Sequence, residues 1–281
     1  DAGALISCEQ VNEFLNRDGD YKHGPAKVDY IYYSSTPAFM VVAYTQVQAQ
    51  NPNTYAIIGE IRDAITGKLL HRDEIDSYSV VTASDGLYDT PDPHVCVLGS
   101  KAFILYWDSS GNIFYSGIAI PTPVSTGATL AFSSPASLAF SIDSDKPVWD
   151  CDVATSAGNA TVAGHTSGKN TAGCIVVSGL VSNASTGDGD IRVGYYTNSA
   201  AAATVTLVAV AGSTGTATYA GTGTTGSSDE AVPDKSTDSA ITGAVNITAL
   251  NESTAANGQL LITSTYDSSG PKMEFVLLGH D

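Results

Sequence analysis

Residues 93–120 constrain the fold more than any other stretch of the chain. They read Pro93-His94-Val95-Cys96-Val97-Leu98-Gly99, then Ala102-Phe103-Ile104-Leu105-Tyr106-Trp107, then Asp108-Ser109-Ser110-Gly111, then Asn112-Ile113-Phe114-Tyr115-Ser116-Gly117-Ile118-Ala119-Ile120. The apolar runs are too short for helices and rich in β-branched and aromatic residues. Gly, Ser and Asp separate them, which is the pattern of strand, turn and strand. The central turn has a mechanism. Asp108 can bond backbone two residues on, and Gly111 supplies the positive φ with which the chain folds back. A hairpin set of this kind cannot bury both its faces alone, so the chain must stack more of the same against it.

More of the same is present. Asp-Ser-Ser-Gly recurs at 267–270, again after an aromatic residue: Trp107 precedes one copy and Tyr266 the other. Ala38-Phe39, Ala102-Phe103 and Ala160-Thr161 open equivalent middle strands at intervals of about 60 residues. A repeated unit of three or four antiparallel strands is the blade of a β-propeller. The expected fold class is therefore all-β, a β-propeller-like stack of antiparallel blades, with a β-sandwich as the alternative.

Taken in order, Ser7-Cys8-Glu9-Gln10 forms a capping box, and Val11, Phe14 and Leu15 follow at helical spacing. One short N-terminal helix is expected over 8–16, in a lead of residues 1–23. The β domain is expected over 24–281. Its first strands fall at 28–33, 38–44 and 55–61, a short outer strand follows the turn at 64–70, and 71–92 reads as a polar connection with a strand near Tyr78 to Thr82. A third copy is expected at 145–180, with its middle strand at 160–165 and its outer strand at 174–180. A fourth covers 191–196 and 204–210, and a fifth 244–250, 259–265 and 272–278. Residues 212–237, rich in Gly, Ser and Thr with the acidic pair Asp229-Glu230, read as a long surface loop.

Charge narrows the function. Twelve Lys plus Arg against 29 Asp plus Glu give a net charge of -17, which argues against binding nucleic acid through phosphates and against docking on anionic lipid. No run of 18 apolar residues is present, so no membrane insertion is expected. The first residue is Asp1 rather than Met, the mark of a processed product or of part of something longer. Cys96, Cys151 and Cys174 lie in apolar runs, as small core residues do. A Cys151–Cys174 bridge is conceivable if their strands pair, and no C-x-x-C spacing accompanies them or Cys8.

The motif search returns no catalytic, cofactor or metal residue. Gly221-Thr222-Gly223-Thr224-Thr225-Gly226 matches a dinucleotide loop, but Pro233 follows early where a helix is needed. The segment 164–169 has the wrong spacing for a phosphate loop. His23, His71, His94, His165 and His280 show no paired ligand spacing. Asn16-Arg17-Asp18-Gly19-Asp20 and Asp188-Gly189-Asp190 lack the length and closing Glu of a calcium loop. Asp108-Ser109-Ser110-Gly111 is one residue too long for the sialidase S-x-D-x-G box, and Arg17, Arg62, Arg72 and Arg192 are few for an arginine triad. Trp107-Asp108, Trp149-Asp150 and Gly164-His165 lack the order of a WD40 repeat. The sequons at Asn159, Asn183, Asn246 and Asn251 are as frequent as chance in a Ser/Thr-rich chain.

With its β-rich repeats, low Lys content and Ala/Thr/Ser/Gly-rich insert, the chain resembles structural proteins of bacteriophage virions: tail, nozzle, ring and fibre proteins. The resemblance rests on the style of the whole chain and carries over no functional residue. It implies a non-enzymatic structural or interaction module of a phage tail, located in the virion and partnered by other protein subunits of a larger assembly. The alternative is an extracellular, cell-surface propeller that binds or cleaves carbohydrate, with a host-surface glycan as partner. That alternative requires exposed aromatic residues to stack on sugar rings, for which Tyr88, Trp107 and Trp149 are the candidates.

Overall fold

The computed structural model describes residues 26–33, 36–47, 54–79, 93–120, 129–142, 149–154, 161–162, 174–182, 189–198, 205–209, 216–219, 245–250, 257–267 and 271–278. Among these the regular structure is all strand. The helix expected over 8–16 lies outside the described residues, as does the whole lead of residues 1–23. The chain divides into two compact units, Asp1–Ser137 and Leu138–Asp281.

The first unit begins with a four-stranded antiparallel sheet in chain order: β1 (Lys27–Tyr33), β2 (Thr36–Val47), β3 (Thr54–Asp63) and β4 (Leu69–Ser79). The next sheet repeats that order with β5 (His94–Leu98), β6 (Lys101–Trp107) and β7 (Asn112–Ala119). It ends on β8 (Ala136–Ser141), the strand in which the chain passes from one unit to the next. Four consecutive strands paired in sequence make a propeller blade. A sandwich with Greek-key connections would instead send neighbouring strands to opposite sheets, so the sandwich alternative is set aside.

These two blades stack through their facing side chains. Ile31, Val41 and Ile61 of the first meet Ala102, Ile118 and Ile120 of the second. Beside them Ala43, Ile57 and Ile75 meet Ile104 and Tyr106. At the foot of the second blade the Asp108–Gly111 turn folds as its residues dictate. The Asp108 carboxylate accepts the backbone N–H of Ser110 (3.0 Å) and of Asn112 (2.8 Å), and Gly111 sits at φ +79°. Tyr106 is fully buried, and its phenol donates across the two blades to Asp76 at 2.9 Å. Burial first, and the Asp76 charge second, push its pKa far above the ordinary 10.0. The folded protein thus keeps this phenol neutral where the unfolded chain would ionise it. Its contribution to stability is full below about pH 10 and is lost as pH rises beyond that. Urea midpoints measured from pH 8 to 11.5 should fall less steeply for Tyr106→Phe than for the parent; equal slopes would contradict this placement.

The second unit holds two sheets. One orders β13-β12-β11-β9, from Leu207–Ala209, Gly189–Asn198, Cys174–Ser182 and Trp149–Ala154, with β14 (Thr216–Tyr219) also paired to β12. The other is built on β16 (Asn257–Asp267), flanked by β15 (Val245–Leu250) and β17 (Pro271–Leu278), with β10 (Thr161–Val162) added in parallel. β15 to β17 match the fifth expected copy, and the second Asp-Ser-Ser-Gly joins β16 to β17.

Three expectations change here. The third and fourth copies merge into one sheet, because β9 pairs directly with β11 and the described residues of the 160–165 segment, the two-residue β10, pair on the other sheet. The Gly/Ser/Thr-rich stretch is not all loop: β14 lies within 212–237 and takes its order from the β12 ladder, not from apolar periodicity. In the first unit β4 is a single 11-residue strand, running from the end of the expected short outer strand through residues expected as a polar connection to the strand expected near Tyr78. As an edge strand it tolerates charges, and its ladder with β3 is kept through two register shifts.

Candidate functional site

Side chains alternate along a strand, so the first sheet has a second face opposite its packed one. On that face Met40, Val42, Tyr44 and Gln46 of β2 lie beside Arg62, Glu60, Ile58 and Ala56 of β3, and Arg72 of β4 lies beside Glu60. Val42, Tyr44, Ala56 and Ile58 form a buried apolar cluster. Two charged side chains sit within this face at 2% and 4% exposure, Glu60 and Arg62. Buried charges need partners, and these have them. Arg62 Nε donates to Glu60 Oε2 at 2.7 Å, and the Tyr44 phenol donates to Glu60 Oε1 at 2.9 Å. Arg72, half exposed, places Nε 3.4 Å from the Tyr44 oxygen and 3.6 Å from Glu60 Oε1, and bonds Gln46 Oε1 at 2.6 Å.

The arrangement sets a hydroxyl against a carboxylate at hydrogen-bond distance with two guanidinium groups around them. Such a pair can act as nucleophile and base. Burial raises the Tyr44 pKa, and the Glu60 charge adds to the rise while Arg72 opposes it. At rest the phenol is therefore protonated, and its proton has an acceptor already in place.

No catalytic residue was expected from the sequence, and this cluster was missed. Arg62 and Arg72 were noted only as scarce arginines. The available signal was Gly59-Glu60-Ile61-Arg62: two opposite charges two residues apart inside an apolar strand. The residues considered for sugar stacking are placed differently. Trp107 and Trp149 are buried, at 5% and 6% exposure, so neither offers a free ring face, and Tyr88 lies outside the described residues. Exposed aromatic rings occur instead on β1, where Tyr30 (37%) and Tyr32 (57%) follow Val28. Val28 and Tyr30 stand opposite Val42 and Met40, on the face that carries the Glu60 cluster.

The other sequence candidates resolve as follows. His71 Nε2 meets Asp73 Oδ2 at 2.7 Å, and its ring stacks on Phe132. His94 is buried in β5, while His23, His165 and His280 lie outside the described residues. Cys151 stands opposite Val177 and Cys174 opposite Ala154. That is a three-residue offset of roughly 10 Å along the strands, beyond the reach of a disulfide, and Cys151 is a thiol outside any disulfide. Asn246 is in β15, and the other three sequons, the 221–226 glycines, the 164–169 segment, Arg17 and Asp229-Glu230 are outside the described residues. Among the described residues no group of three or more His, Cys, Asp or Glu is placed to hold a metal ion.

No family model matches the chain, and no curated protein does. Solved structures similar to it include the NanB sialidase of Streptococcus pneumoniae, at 10% identity over 89% of this chain, with a TM-score of 0.42. A glycoside hydrolase is similar at 11% identity over 92% of this chain and 71% of its own length, with a TM-score of 0.36. The catalytic domain of the Coprinopsis cinerea GH62 α-L-arabinofuranosidase is similar at 12% identity, over 96% of this chain and 94% of its own, with a TM-score of 0.31. The chain spans 30% of the length of the sialidase. These similarities correct the expectation drawn from virion proteins. Those named here are carbohydrate-cleaving enzymes and not virion proteins, so the non-enzymatic tail module expected above is not carried forward.

Proposed function

We propose that this protein acts on carbohydrate, cleaving a glycosidic bond at the Tyr44–Glu60 pair. The observation that supports the reading is the 2.9 Å hydrogen bond from the Tyr44 phenol to a Glu60 carboxylate that Arg62 and Arg72 surround. Most glycosidases use two carboxylates, and a tyrosine nucleophile is the recognised exception. Tyr44 is 3% and Glu60 2% exposed, so the proposed step requires the side chains over this face to part for the sugar; the phenol oxygen then bonds to the anomeric carbon as the glycosidic C–O bond breaks. The phenol proton passes to Glu60, and the departing oxygen takes a proton from water, leaving hydroxide. That hydroxide then attacks the anomeric carbon of the tyrosyl sugar as the bond to the phenol oxygen breaks, and Glu60 returns its proton to the phenol oxygen, so one water is consumed in all. Arg72, next to both reacting groups and open to solvent, offsets the negative charge that builds there.

The test is hydrolysis of a panel of aryl glycosides and polysaccharides by the whole chain, with Tyr44→Phe and Glu60→Gln as controls. Both variants should lose at least ~100-fold in kcat/KM while keeping the parent's circular dichroism. No cleavage of any member, or variants as active as the parent, sinks the reading. A second reading, binding without cleavage, is favoured by the exposed Tyr30 ring on the same sheet face and by the exposed Tyr32 ring further along β1, since aromatic faces suit sugar stacking. A glycan array separates the two: retention without turnover, lost in Tyr30→Ala and Tyr32→Ala and kept in Tyr44→Phe, marks a binding module.

A further inference from the structure

We infer that Arg62 is the positioning residue of the Tyr44–Glu60 pair and that the β3–β4 turn holds Arg62 in place; this rests on the reading of that pair as the reacting groups.

The two Glu60 oxygens have different tasks. Oε1 receives the phenol, and Oε2 is held by Arg62 Nε at 2.7 Å. Gripping the second oxygen fixes the plane of the carboxylate, and that plane decides whether Oε1 faces the phenol. Arg62 can do this because its own far end is tied down: Nη1 donates to the Gly67 carbonyl at 3.0 Å. The β3–β4 ladder slips register between Ile61 and Arg62. The extra residue there is Leu70 on β4, while the β2–β3 ladder runs without a slip through Ile61 and Arg62, so Arg62 keeps the regular strand direction beside Glu60 and the irregularity lies on the strand that follows the turn.

Gly67 lies in a turn that is closed on itself. Its N–H donates to Asp63 O at 2.9 Å, and the Asp63 N–H donates to Lys68 O at 2.9 Å. Asp63 Oδ1 accepts from Ile65 N (3.0 Å), Thr66 N (2.7 Å) and Thr66 Oγ1 (2.8 Å). The Thr66 bonds hold the Asp63 carboxyl below its usual pKa, in keeping with an ionised acceptor. A continuous set of bonds thus runs from a solvent-exposed turn to a buried carboxylate: Asp63 shapes the turn, the turn presents the Gly67 carbonyl, the carbonyl anchors Arg62, and Arg62 orients Glu60. Groups held this way keep their geometry without relying on the substrate to impose it.

The experiment measures the coupling between Tyr44 and Glu60 directly and needs no substrate. Urea unfolding of Tyr44→Phe, Glu60→Gln and the double variant yields a double-mutant cycle. The cycle is repeated in an Arg62→Lys background and in an Asp63→Ala background. In the parent the two residues should be coupled by roughly tenfold in the folding equilibrium constant. In Arg62→Lys, which keeps the charge and loses the fork, the coupling should fall to within ~2-fold of none. In Asp63→Ala, a change at the surface turn, it should fall part of the way. A role confined to stability would lower every midpoint and leave the coupling unchanged in both backgrounds, which overturns the inference. Should Arg62→Lys not fold, Asp63→Ala decides alone. Where a cleaved glycan is found, both variants should lower kcat with KM within ~2-fold of the parent. A chain that cleaves nothing but loses its coupling refutes the function and leaves the role of Arg62 standing.

Discussion

Glu60→Ala should cost about 3–5 kcal/mol of unfolding free energy, read from urea midpoints at pH 7. The carboxylate is 2% exposed, and the guanidinium it neutralises is 4% exposed. Removing the acid takes from the buried Arg62 the carboxylate that its Nε bonds at 2.7 Å, while the bond from Nη1 to the Gly67 carbonyl remains. It also takes the acceptor from the Tyr44 phenol, and a buried donor without its partner costs about 1–3 kcal/mol more in its own right. Against a total of about 5–15 kcal/mol for an ordinary domain, such a loss brings the first unit close to unfolding. Glu60→Gln should cost less, because the amide oxygen can still accept one of the two bonds. Replacing the pair together, Glu60→Met with Arg62→Met, should recover most of the loss, since an apolar pair of similar size needs no desolvation. A Glu60→Ala cost below about 1 kcal/mol would mean that water reaches this pair in solution, and the buried dyad would have to be given up.

Gly59→Val is the second large effect, about 3 kcal/mol or more of destabilisation. A Cβ at Gly59 would lie 2.7 Å from Ile104 Cδ1, 2.8 Å from Ile75 Cδ1 and 2.9 Å from Phe132 Cε2. All three are ends of side chains. Gly59→Ala can therefore be accommodated by small shifts, at about 1–3 kcal/mol, but valine adds two methyls to a space already filled. At an open strand position the same changes would stabilise, because glycine wastes chain entropy and packs nothing. The sign is decided by how closely the second blade approaches the β3 backbone. Ile104→Val removes the nearest methyl, so it should restore part of the loss in Gly59→Ala while costing about 1 kcal/mol alone. If Gly59→Val unfolds at the parent's midpoint, the two blades do not pack as described.

Both effects sit where reading the chain residue by residue could not reach. The run 55–61 is legible as a strand from Tyr55, Ile57, Ile58 and Ile61, and the turn at 108–111 is legible in full, because Asp108 and Gly111 act within five residues of each other. Local chemistry suffices for such features. Glu60 is different: its identity as half of a pair depends on Tyr44, 16 residues earlier, and that proximity exists only once Val42 stands opposite Glu60. Shifting the register by one residue would send either side chain to the other face. Arg72 joins from a third strand that looked like a polar connection, because an edge strand need not alternate when its ladder partner supplies the order.

The third sheet makes the same point at larger scale. Trp149 to Ala154, Cys174 to Ser182 and Gly189 to Asn198 each have strand character in isolation, but Ala160 to His165 looked as good a middle strand as any. Which runs pair is settled by which ladders can form with all their neighbours at once. Thr216 to Tyr219, without apolar periodicity, becomes a strand because β12 offers it an edge.

What the sequence determined alone was therefore short in range: the all-β class, most strand positions, the hairpin turns, and a charge balance hostile to polyanions. Each follows from interactions within a few residues, where backbone preference and side-chain period act directly. Only the tertiary structure decided strand partners, register and the burial of Glu60 beside Tyr44 and Arg62. Those depend on contacts between distant segments, and their energies exist only after the sheets have closed on one another.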